Sequence, residues 1–407
     1  MIFNKNAIDP ILLQEASYII EGLFGSVKIN SVKLLSEPER RNIILRLTLT
    51  TKSSTIPKSI ILKQALPDKL NANENDRFAR FARDWAALEF LSLIQKDSHT
   101  VPKFYGSNKN ICFILIEDLG EEHISLVDSL TMNNRDKAVL ALKRFMKALG
   151  NFHASSFGYL EKYQMILNKI DDEPKTWEDD LFFTIDDLVT KLKLANHKFG
   201  LLITPNILDE VRYVIESMFK PGPLTVLVHG DICPDNVFDH SDTDRLQLID
   251  FEWSFYRNAL LDGTYLRMNM PTCWCAKAIP ENIIESVESI YREELKLMIP
   301  AASDDLIYSS SYLNACAFWL LRAMPFVEDA LYNDEIWSSG PVPKNSLWKP
   351  EDNLIRPRLL SRLQTFINLA HTCDKLPHLR QMASSMLKEA KIRWPEAKPL
   401  ELYSAFQ

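Results

Sequence analysis

The sequence predicts an α+β fold in which a small antiparallel sheet with one long helix precedes a larger, mainly helical part. Two observations predict it. Short β-branched runs separated by polar turns fill the first part of the chain, whereas apolar residues recur at helical spacing through most of the chain after residue 119. The length of 407 residues also allows more than one packing unit.

The first part opens with a helical pattern over residues 8–24 and continues with extended runs. The strands are expected at Val27–Leu35, Asn42–Thr51, Ser59–Ala65, Val101–Tyr105 and Ile111–Ile116. A long helix is expected from about Glu74 to Ile94, because large apolar residues recur there on one helical face. Those residues are Phe78, Phe81, Trp85 and Leu88.

The second part is predicted to be helical, with one strand-rich insert. The expected helices cover Asp136–Ser155, Leu208–Phe219 and residues 282–297, 304–331, 355–373 and 377–392, and the insert covers Thr225–Asp250. The pattern shows neither an internal repeat nor a low-complexity segment.

The composition is that of a globular protein, with 46% apolar and 25% charged residues. The formal net charge of −7 argues against nucleic acid as a partner, because an acidic chain repels phosphate backbones. The most apolar stretch, Ser309–Leu321, is shorter than the roughly 20 residues that a membrane span needs. Acidic residues interrupt the N-terminal helix, which does not resemble a signal peptide. We therefore expect a cytoplasmic protein without a membrane span.

The six cysteines show no paired CxxC units, and only Cys273 and Cys275 are close together. A single CxC without a second ligand pair is a weak zinc signal. The sequence therefore predicts reduced thiols, which suits a reducing compartment.

The segment richest in chemical information is Val226–Glu252, which reads VLVHGDICPDNVFDHSDTDRLQLIDFE. Asn236 follows Asp231 by five residues, and Asp250 follows Asn236 by fourteen. Phosphoryl transfer requires a carboxylate that accepts the proton of the attacking hydroxyl, together with oxygen ligands that hold magnesium on the phosphates. Asp231, Asn236 and Asp250 supply these groups, although a single Asp or Asn in a loop usually caps a turn.

The pattern HGDxxxxN followed by DFE resembles the signature of the aminoglycoside phosphotransferase and choline kinase-like family, which is related to the protein kinases. The resemblance implies a bilobal protein-kinase-like fold. Residues 1–118 would form the N-terminal nucleotide-binding lobe and residues 119–407 the C-terminal catalytic and substrate-binding lobe. It also implies Asp231 as the catalytic base, Asn236 and Asp250 as metal ligands, and ATP and Mg²⁺ as cofactors.

Further residues fit the same resemblance upstream of this motif. Lys63, at the end of an apolar strand, is similar to the lysine that contacts the α- and β-phosphates of ATP. Asp84 lies in the register of the acid that pairs with this lysine, with an Asp in place of the usual Glu, and Glu89 is the alternative. Residues 114–119 resemble the hinge, where backbone groups of Glu117 and Leu119 would meet the adenine edge.

The segment between the first two strands, residues 36–42, lacks the glycine-rich GxGxxG loop of protein kinases. This departure argues against an ordinary protein kinase more than against ATP binding. Arg40 and Arg41 in this segment are interpreted as surface arginines, with phosphate contact as the alternative. The resemblance further implies that Asp262 anchors the catalytic loop by hydrogen bonds and that His229 braces that loop from inside.

These features predict an ATP- and Mg²⁺-dependent phosphotransferase that acts on a hydroxyl of a small molecule, such as an aminoglycoside-, choline- or sugar-like alcohol. Two alternatives remain: a kinase-like enzyme acting on a protein acceptor, and a catalytically silent kinase-fold binding module. The sequence gives little information on the residues that line the acceptor site. Tryptophans for a cation–π wall and acids that would neutralise an amine are candidates: Trp253, Trp274, Trp319, Trp337, Glu252, Glu328, Asp329, Asp334 and Glu335.

Overall fold

The computed structural model of the chain describes eight stretches of residues. They are 8–37, 40–66, 74–95, 100–121, 124–174, 185–240, 243–334 and 354–407. No helix within these stretches is long and apolar enough to cross a membrane. The chain divides into two compact units. The first comprises Met1–Glu122, Glu161–Pro174 and Ile249–Ser254, and the second comprises His123–Leu160, Lys175–Leu248 and Phe255–Gln407.

The first unit is built on a five-stranded antiparallel sheet. Its elements are α1 (Pro10–Phe24), β1 (Lys28–Leu34), β2 (Asn42–Thr50), β3 (Ser59–Ala65), α2 (Glu74–Ile94), β4 (Phe104–Asn108) and β5 (Phe113–Glu117). The strand order is β1-β2-β3-β5-β4, so β3 lies at the centre of the sheet. The predicted α+β fold class is confirmed by this sheet and by the mainly helical remainder.

Helix α1 covers one face of this sheet. Asp9 caps its N-terminus, because the Asp9 carboxylate accepts a hydrogen bond from the Ile11 N–H at 2.9 Å. Its apolar face packs on alternate residues of the central strands, and the resulting core contains Leu12, Ala16, Ile20, Leu45, Leu47, Leu49, Ile60, Leu62, Phe113 and Leu115. Since side chains alternate across a strand, Lys63 points to the opposite face from Leu62. Because Leu62 packs in the core beneath α1, Lys63 lies on the face of the sheet that is opposite α1.

The second unit is mainly helical and carries four short strands among its described residues. In chain order the remaining elements are α3 (Leu126–Thr131), α4 (Arg135–Ser156), α5 (Leu160–Ile170), α6 (Ile185–Lys198), α7 (Pro205–Phe219), β6 (Thr225–Val228), β7 (Val237–His240), β8 (Arg245–Leu248), β9 (Phe255–Asn258), α8 (Leu260–Gly263), α9 (Glu281–Lys296), α10 (Asp305–Leu321), α11 (Val327–Tyr332), α12 (Ile355–Cys373) and α13 (Pro377–Arg393). Most of α5 groups with the first unit. Strand β6 pairs with β9 and β7 with β8, both antiparallel.

The single helix expected over residues 304–331 is wrong in one respect, because it is interrupted. Helix α10 ends at Leu321, a 3₁₀ turn covers Met324–Phe326, and α11 begins at Val327. Pro325 lies in this turn and explains the break, since proline has no N–H to donate and its ring clashes with the preceding helical turn.

Helices α4 and α9 approach each other so closely at Gly150 that a side chain there has no room. A Cβ atom built on Gly150 would lie 2.9 Å from the Tyr291 carbonyl oxygen and 2.6 Å from the Glu294 Cβ. We expect Gly150→Ala to lower the free energy of unfolding by about 1–3 kcal/mol, the usual cost of overpacking. Denaturant unfolding measures it.

The matched control is Gly22→Ala in α1, where a Cβ would meet nothing within 4 Å. Alanine has the higher helix propensity, so this variant should gain up to about 1 kcal/mol. A stabilised Gly150→Ala variant would show that the helix contact is looser than described.

Candidate active site

The first unit gathers three charged side chains around the end of β3. The Lys63 amine on β3 contacts the Asp84 carboxylate of α2 at 2.7 Å and also forms an ion pair with Asp250. Lys63 and Asp84 are largely buried, whereas the Asp250 side chain is 30% exposed. Of the two acids considered as partners of Lys63, Asp84 makes the contact, while Glu89 accepts a hydrogen bond from the Trp85 indole at 2.7 Å.

The charges of this cluster shift the pKa values of its members. Burial acts to lower the pKa of Lys63, but the charges of Asp250 and Asp84 outweigh it, so the pKa rises and the amine stays protonated. Burial raises the pKa of Asp84, opposed by Lys63 and reinforced by Asp250. The cluster thus combines a protonated Lys63 amine with two carboxylates, of which that of Asp250 is the more exposed.

The backbone at Asp250 adopts an uncommon conformation, with φ of +70°. Left-handed backbone costs energy for a residue other than glycine, and such residues concentrate at functional sites. The next residue is held in place, because the Phe251 N–H donates to the Asp84 carboxylate at 3.0 Å. The Asp84 carboxylate therefore contacts both the Lys63 amine and the backbone next to Asp250.

Glu252 is buried beside this cluster and is surrounded by arginines. Its carboxylate lies 3.3 Å from the Arg41 guanidinium and 3.7 Å from that of Arg80, and its carbonyl oxygen accepts from Arg83 at 3.0 Å. Burial, followed by the charge of Asp250, raises the pKa of Glu252. These contacts show Arg41 paired with an acid of its own unit, and Glu252 engaged by cations of the protein.

The predicted hinge follows β5, which ends at Glu117. The Glu117 N–H donates to the Lys103 carbonyl oxygen at 2.8 Å, so this donor is occupied within the sheet. The next residue is firmly tied, since the Asp118 carboxylate accepts from Arg46 at 2.6 and 3.0 Å and from the Ser59 hydroxyl at 2.6 Å. Burial acts to raise the pKa of Asp118, but these hydrogen bonds hold it below its usual range. The backbone directly before Leu119 is thereby fixed by the Asp118 side chain.

In the second unit, Asp262 anchors the loop that carries the HGD motif, and this prediction is confirmed. Its fully buried carboxylate accepts from the His229 N–H at 2.6 Å and from the Gly230 N–H at 3.2 Å. It also contacts the His153 ring at 3.2 Å. Burial acts to raise the pKa of Asp262, but the bonds to His153 and the loop outweigh it and lower the pKa. His229 is buried in the loop, and its ring accepts from the Asp231 N–H at 3.4 Å.

A hydroxyl chain that the sequence did not predict reaches Asp231. Thr272 donates to one carboxylate oxygen of Asp231 at 2.5 Å, and the Thr272 oxygen lies 2.6 Å from the Tyr265 hydroxyl. Burial, followed by the charge of Asp231, raises the pKa of Tyr265, so the phenol stays neutral. No pattern in the sequence identifies Thr272, because it lies 41 residues from its partner.

Asn236 ends the loop and directly precedes β7. Its amide nitrogen donates to the Asp231 carbonyl oxygen at 2.9 Å, which leaves the amide oxygen as the atom that can ligate a cation. An amide oxygen of this kind is one of the hard oxygen ligands that magnesium accepts.

The expectation that all cysteines are reduced is wrong for two of them. Cys233 and Cys273 form a disulfide, whereas Cys112, Cys275, Cys316 and Cys373 are thiols that belong to no disulfide. The sequence could not predict this pairing, because the spacing of cysteines alone does not determine which of them are bonded. The bond joins the HGD loop to the segment that carries Thr272.

The predicted acceptor-site tryptophans that the structure describes are engaged with protein groups. The Trp253 ring lies under the guanidinium groups of Arg80 and Arg83, at 6.0 and 5.7 Å. The Trp274 indole donates to Asp235 at 3.0 Å, and that of Trp319 donates to the Leu261 carbonyl oxygen at 2.8 Å. Trp337 and Glu335 lie outside the described residues.

Several solved kinase structures are similar to this chain at low sequence identity. An ethanolamine kinase of Plasmodium vivax is 14% identical, with 94% of each chain covered and a TM-score of 0.44. A choline kinase of Streptococcus pneumoniae is 14% identical over 87% of this chain and 98% of its own, with a TM-score of 0.40. A choline/ethanolamine kinase family protein of Mesorhizobium loti is 12% identical over 93% and 99%, with a TM-score of 0.41. No curated protein sequence matches the chain.

The profile of the ecdysteroid kinase-like family matches residues 42–272. This range is more than half of the 407 residues and contains Lys63, Asp84, the HGD loop and Asp250. The predicted kinase-like resemblance is confirmed at the level of the family. The chain belongs to the ecdysteroid kinase-like family.

Proposed function

We propose that this protein is an ATP- and Mg²⁺-dependent phosphotransferase that moves the γ-phosphate of ATP to a hydroxyl of a small molecule. The observation that carries the proposal is the buried Lys63 amine, held between Asp84 and Asp250 on the face of the sheet away from α1. A protonated amine fixed by two carboxylates is suited to hold the phosphates of a nucleotide. Membership of a kinase-like family supports the same class of reaction.

The roles in nucleotide binding are proposed residue by residue. Lys63 binds the α- and β-phosphates, and backbone groups of Glu117 and Leu119 bind the adenine edge. Because the Glu117 N–H is occupied in the sheet, this residue is expected to contribute its carbonyl oxygen. Asp250 and Asn236 are the proposed magnesium ligands. When bound, the ion neutralises the charge that develops on the phosphate oxygens.

Asp231 is the proposed general base. Thr272 occupies one of its carboxylate oxygens, so the carboxylate is held in a fixed orientation. The carboxylate is proposed to accept the proton from the acceptor hydroxyl. The hydrogen bonds from the loop backbone to Asp262 hold the residues before Asp231 in place. This preorganisation is what a proton-accepting carboxylate requires.

The proposed acceptor is an alcohol of the aminoglycoside, choline, sugar or ecdysteroid type. Residues 1–118 are proposed to bind the nucleotide, and residues 119–407 to supply the catalytic loop and the acceptor site. A cytoplasmic location belongs to the proposal, because ATP is supplied there.

Transfer of label from γ-³²P-ATP tests the proposal. The acceptors are an ecdysteroid, choline, ethanolamine, an aminoglycoside, a sugar alcohol and a generic protein substrate, each with Mg²⁺ and with EDTA. We expect Mg²⁺-dependent label in one small molecule. Label on the protein substrate alone would favour a protein kinase, and Mg-ATP binding without any transfer would favour a binding module.

The two acids considered as partners of Lys63 provide a paired prediction. Asp84→Asn should weaken Mg-ATP affinity by about 10–100-fold, which corresponds to one charged hydrogen bond of roughly 1.5–3 kcal/mol. Glu89→Gln should leave the affinity unchanged, because Glu89 contacts Trp85 of its own helix. Isothermal titration with Mg-ATP measures both. Equal losses in the two variants would contradict the assignment of Asp84.

A further inference from the structure

Three cysteines lie together beside the proposed catalytic base. Cys233 belongs to the loop between Asp231 and Asn236, and Cys273 and Cys275 follow Thr272 in the chain. All three are buried, and their sulfur atoms lie within 4.8 Å of one another. Cys233 and Cys273 are bonded, with their Cα atoms 5.4 Å apart, inside the usual range of about 4.4–6.8 Å.

The third thiol is placed against the disulfide. The Cys275 sulfur lies 2.7 Å from the sulfur of Cys273, which is the atom shared by the existing bond. Thiol–disulfide exchange requires a free sulfur next to one sulfur of a disulfide. Cys275 meets this requirement at Cys273.

The disulfide lies between two hydrogen bonds that link the catalytic loop to residues 272–275, here called the cysteine segment. Thr272 donates to Asp231 at 2.5 Å, Cys273 is bonded to Cys233, and the Trp274 indole donates to Asp235 at 3.0 Å. Three successive residues of one segment thus hold three alternate residues of the other. The covalent link lies between the two hydrogen bonds.

The cysteine segment is itself anchored to the C-terminal part of the chain. The Arg358 guanidinium donates to the Cys273 carbonyl oxygen at 2.8 Å and to that of Met270 at 3.2 Å. The Tyr403 hydroxyl donates to the Cys275 carbonyl oxygen. The segment that holds the catalytic loop is therefore itself held in place by Arg358 and Tyr403.

We propose that Cys233, Cys273 and Cys275 form a thiol–disulfide exchange site that controls how firmly the catalytic loop is held. The Cys275 thiolate attacks the Cys273 sulfur, a Cys273–Cys275 bond forms and the Cys233–Cys273 bond breaks. Cys233 leaves as the thiolate and takes up the proton that Cys275 released, so the step needs no oxidant or reductant. The effect on catalysis rests on the proposed role of Asp231.

Two properties of the site set its behaviour. Burial raises the pKa of the Cys275 thiol, so exchange passes through a small thiolate fraction and is slow. Disulfides in a reducing compartment are usually transient and serve catalysis or redox sensing. A dithiol can also reduce the site completely: it is oxidised to its own disulfide and passes its two protons to Cys233 and Cys273. Either reaction removes the covalent link to the loop.

Peptide mapping of the full-length protein tests the exchange without any assay of activity. The protein is prepared without reductant, denatured in acid, alkylated with N-ethylmaleimide and digested. We expect Cys233–Cys273 as the main disulfide with a minor Cys273–Cys275 form, and Cys233→Ser should form Cys273–Cys275 on mild oxidation by oxidised glutathione. Free thiols at all three positions, a Cys233–Cys273 bond without any exchanged form, or zinc retained by the cluster in native mass spectrometry would overturn the proposal.

Turnover measures the consequence for the loop. The probe is the Mg²⁺-dependent hydrolysis of ATP with water as acceptor, or transfer to the acceptor found by screening. Dithiothreitol should lower turnover of the wild-type protein by roughly 10–100-fold, the cost of a catalytic group displaced by about 1 Å. Reoxidation should restore it. Cys275→Ser should retain the Cys233–Cys273 bond and the wild-type rate before reduction, whereas Cys233→Ser should be slow and insensitive to dithiothreitol.

Cys373→Ser provides the control, because Cys373 is a free thiol at the end of α12. It should respond to dithiothreitol as the wild type does. Equal turnover of the oxidised and reduced wild-type protein would contradict control of the loop, even where mapping finds the exchange. Loss of activity in every variant under every condition would instead count against the proposed kinase function, since the mapping result does not depend on it.

Discussion

Replacing Asp231 with asparagine is expected to lower turnover by about 10²–10⁴-fold, the usual contribution of a general base. The amide keeps the shape of the side chain and can still accept the hydrogen bond from Thr272. It cannot take the proton of the acceptor hydroxyl. Mg-ATP affinity should stay close to that of the wild type, because phosphate binding is assigned to Lys63 and magnesium binding to Asn236 and Asp250.

The measurement is steady-state transfer from ATP to the acceptor identified by screening, together with Mg-ATP titration of the same variant. Asp209→Asn is the control, since Asp209 is an exposed carboxylate on α7 of the same unit. It should keep the wild-type rate. Unchanged turnover in Asp231→Asn would refute the assignment of the base.

Replacing Asp262 with alanine is expected to cost about 3–5 kcal/mol of stability, the usual loss when one partner of a buried charged network is removed. The change leaves the N–H groups of His229 and Gly230 without their acceptor, and it removes the contact to the His153 ring. Asp262→Asn should cost less, because one carbonyl oxygen remains. Both should also slow turnover, because the loop before Asp231 loses its anchor.

The stability effect should depend on pH in a defined direction. The pKa of Asp262 is lowered in the folded protein. Its contribution is therefore fully present above the unfolded value of about 3.9 and is lost as the pH falls through the lower folded value. The difference in unfolding free energy between wild type and Asp262→Asn should stay constant at neutral pH and shrink below about pH 4.

Asp239→Ala separates stability from loop placement. Asp239 is a second buried carboxylate of the same unit, and Arg144 donates to it twice at 2.7 Å. This variant should lose stability while keeping most of its turnover well below its melting temperature. A turnover loss in Asp239→Ala equal to that of Asp262→Ala would contradict a specific role of Asp262 in the loop.

Local patterns explain which parts of the fold were predictable. The bounds of β3 and α2 agree with the predicted Ser59–Ala65 and Glu74–Ile94, because their periodicity is strong. Strand β4 begins at Phe104 rather than at Val101, since Pro102 cannot donate to a ladder. The break between α10 and α11 likewise follows from a proline, Pro325, which cannot donate a backbone hydrogen bond.

The site was predictable only where its parts share one motif. The HGD loop, Asn236 and Asp250 lie within 22 residues of His229, so their spacing could be recognised. The contact of Thr272 with Asp231 and the bond of Cys273 to Cys233 span about forty residues and follow from tertiary packing. Sequence patterns of single elements carry no information on such pairs.

The most direct test of the nucleotide site is thermal unfolding with and without Mg-ATP, for wild type, Asp250→Ala and the Asp209→Asn control. A ligand at a hundred times its dissociation constant adds about 2.7 kcal/mol to the stability of the folded state. We expect a Mg²⁺-dependent rise in melting temperature for wild type and control, and its loss in Asp250→Ala. The absence of a shift in the wild type, or an equal shift in Asp250→Ala, would contradict the proposed site.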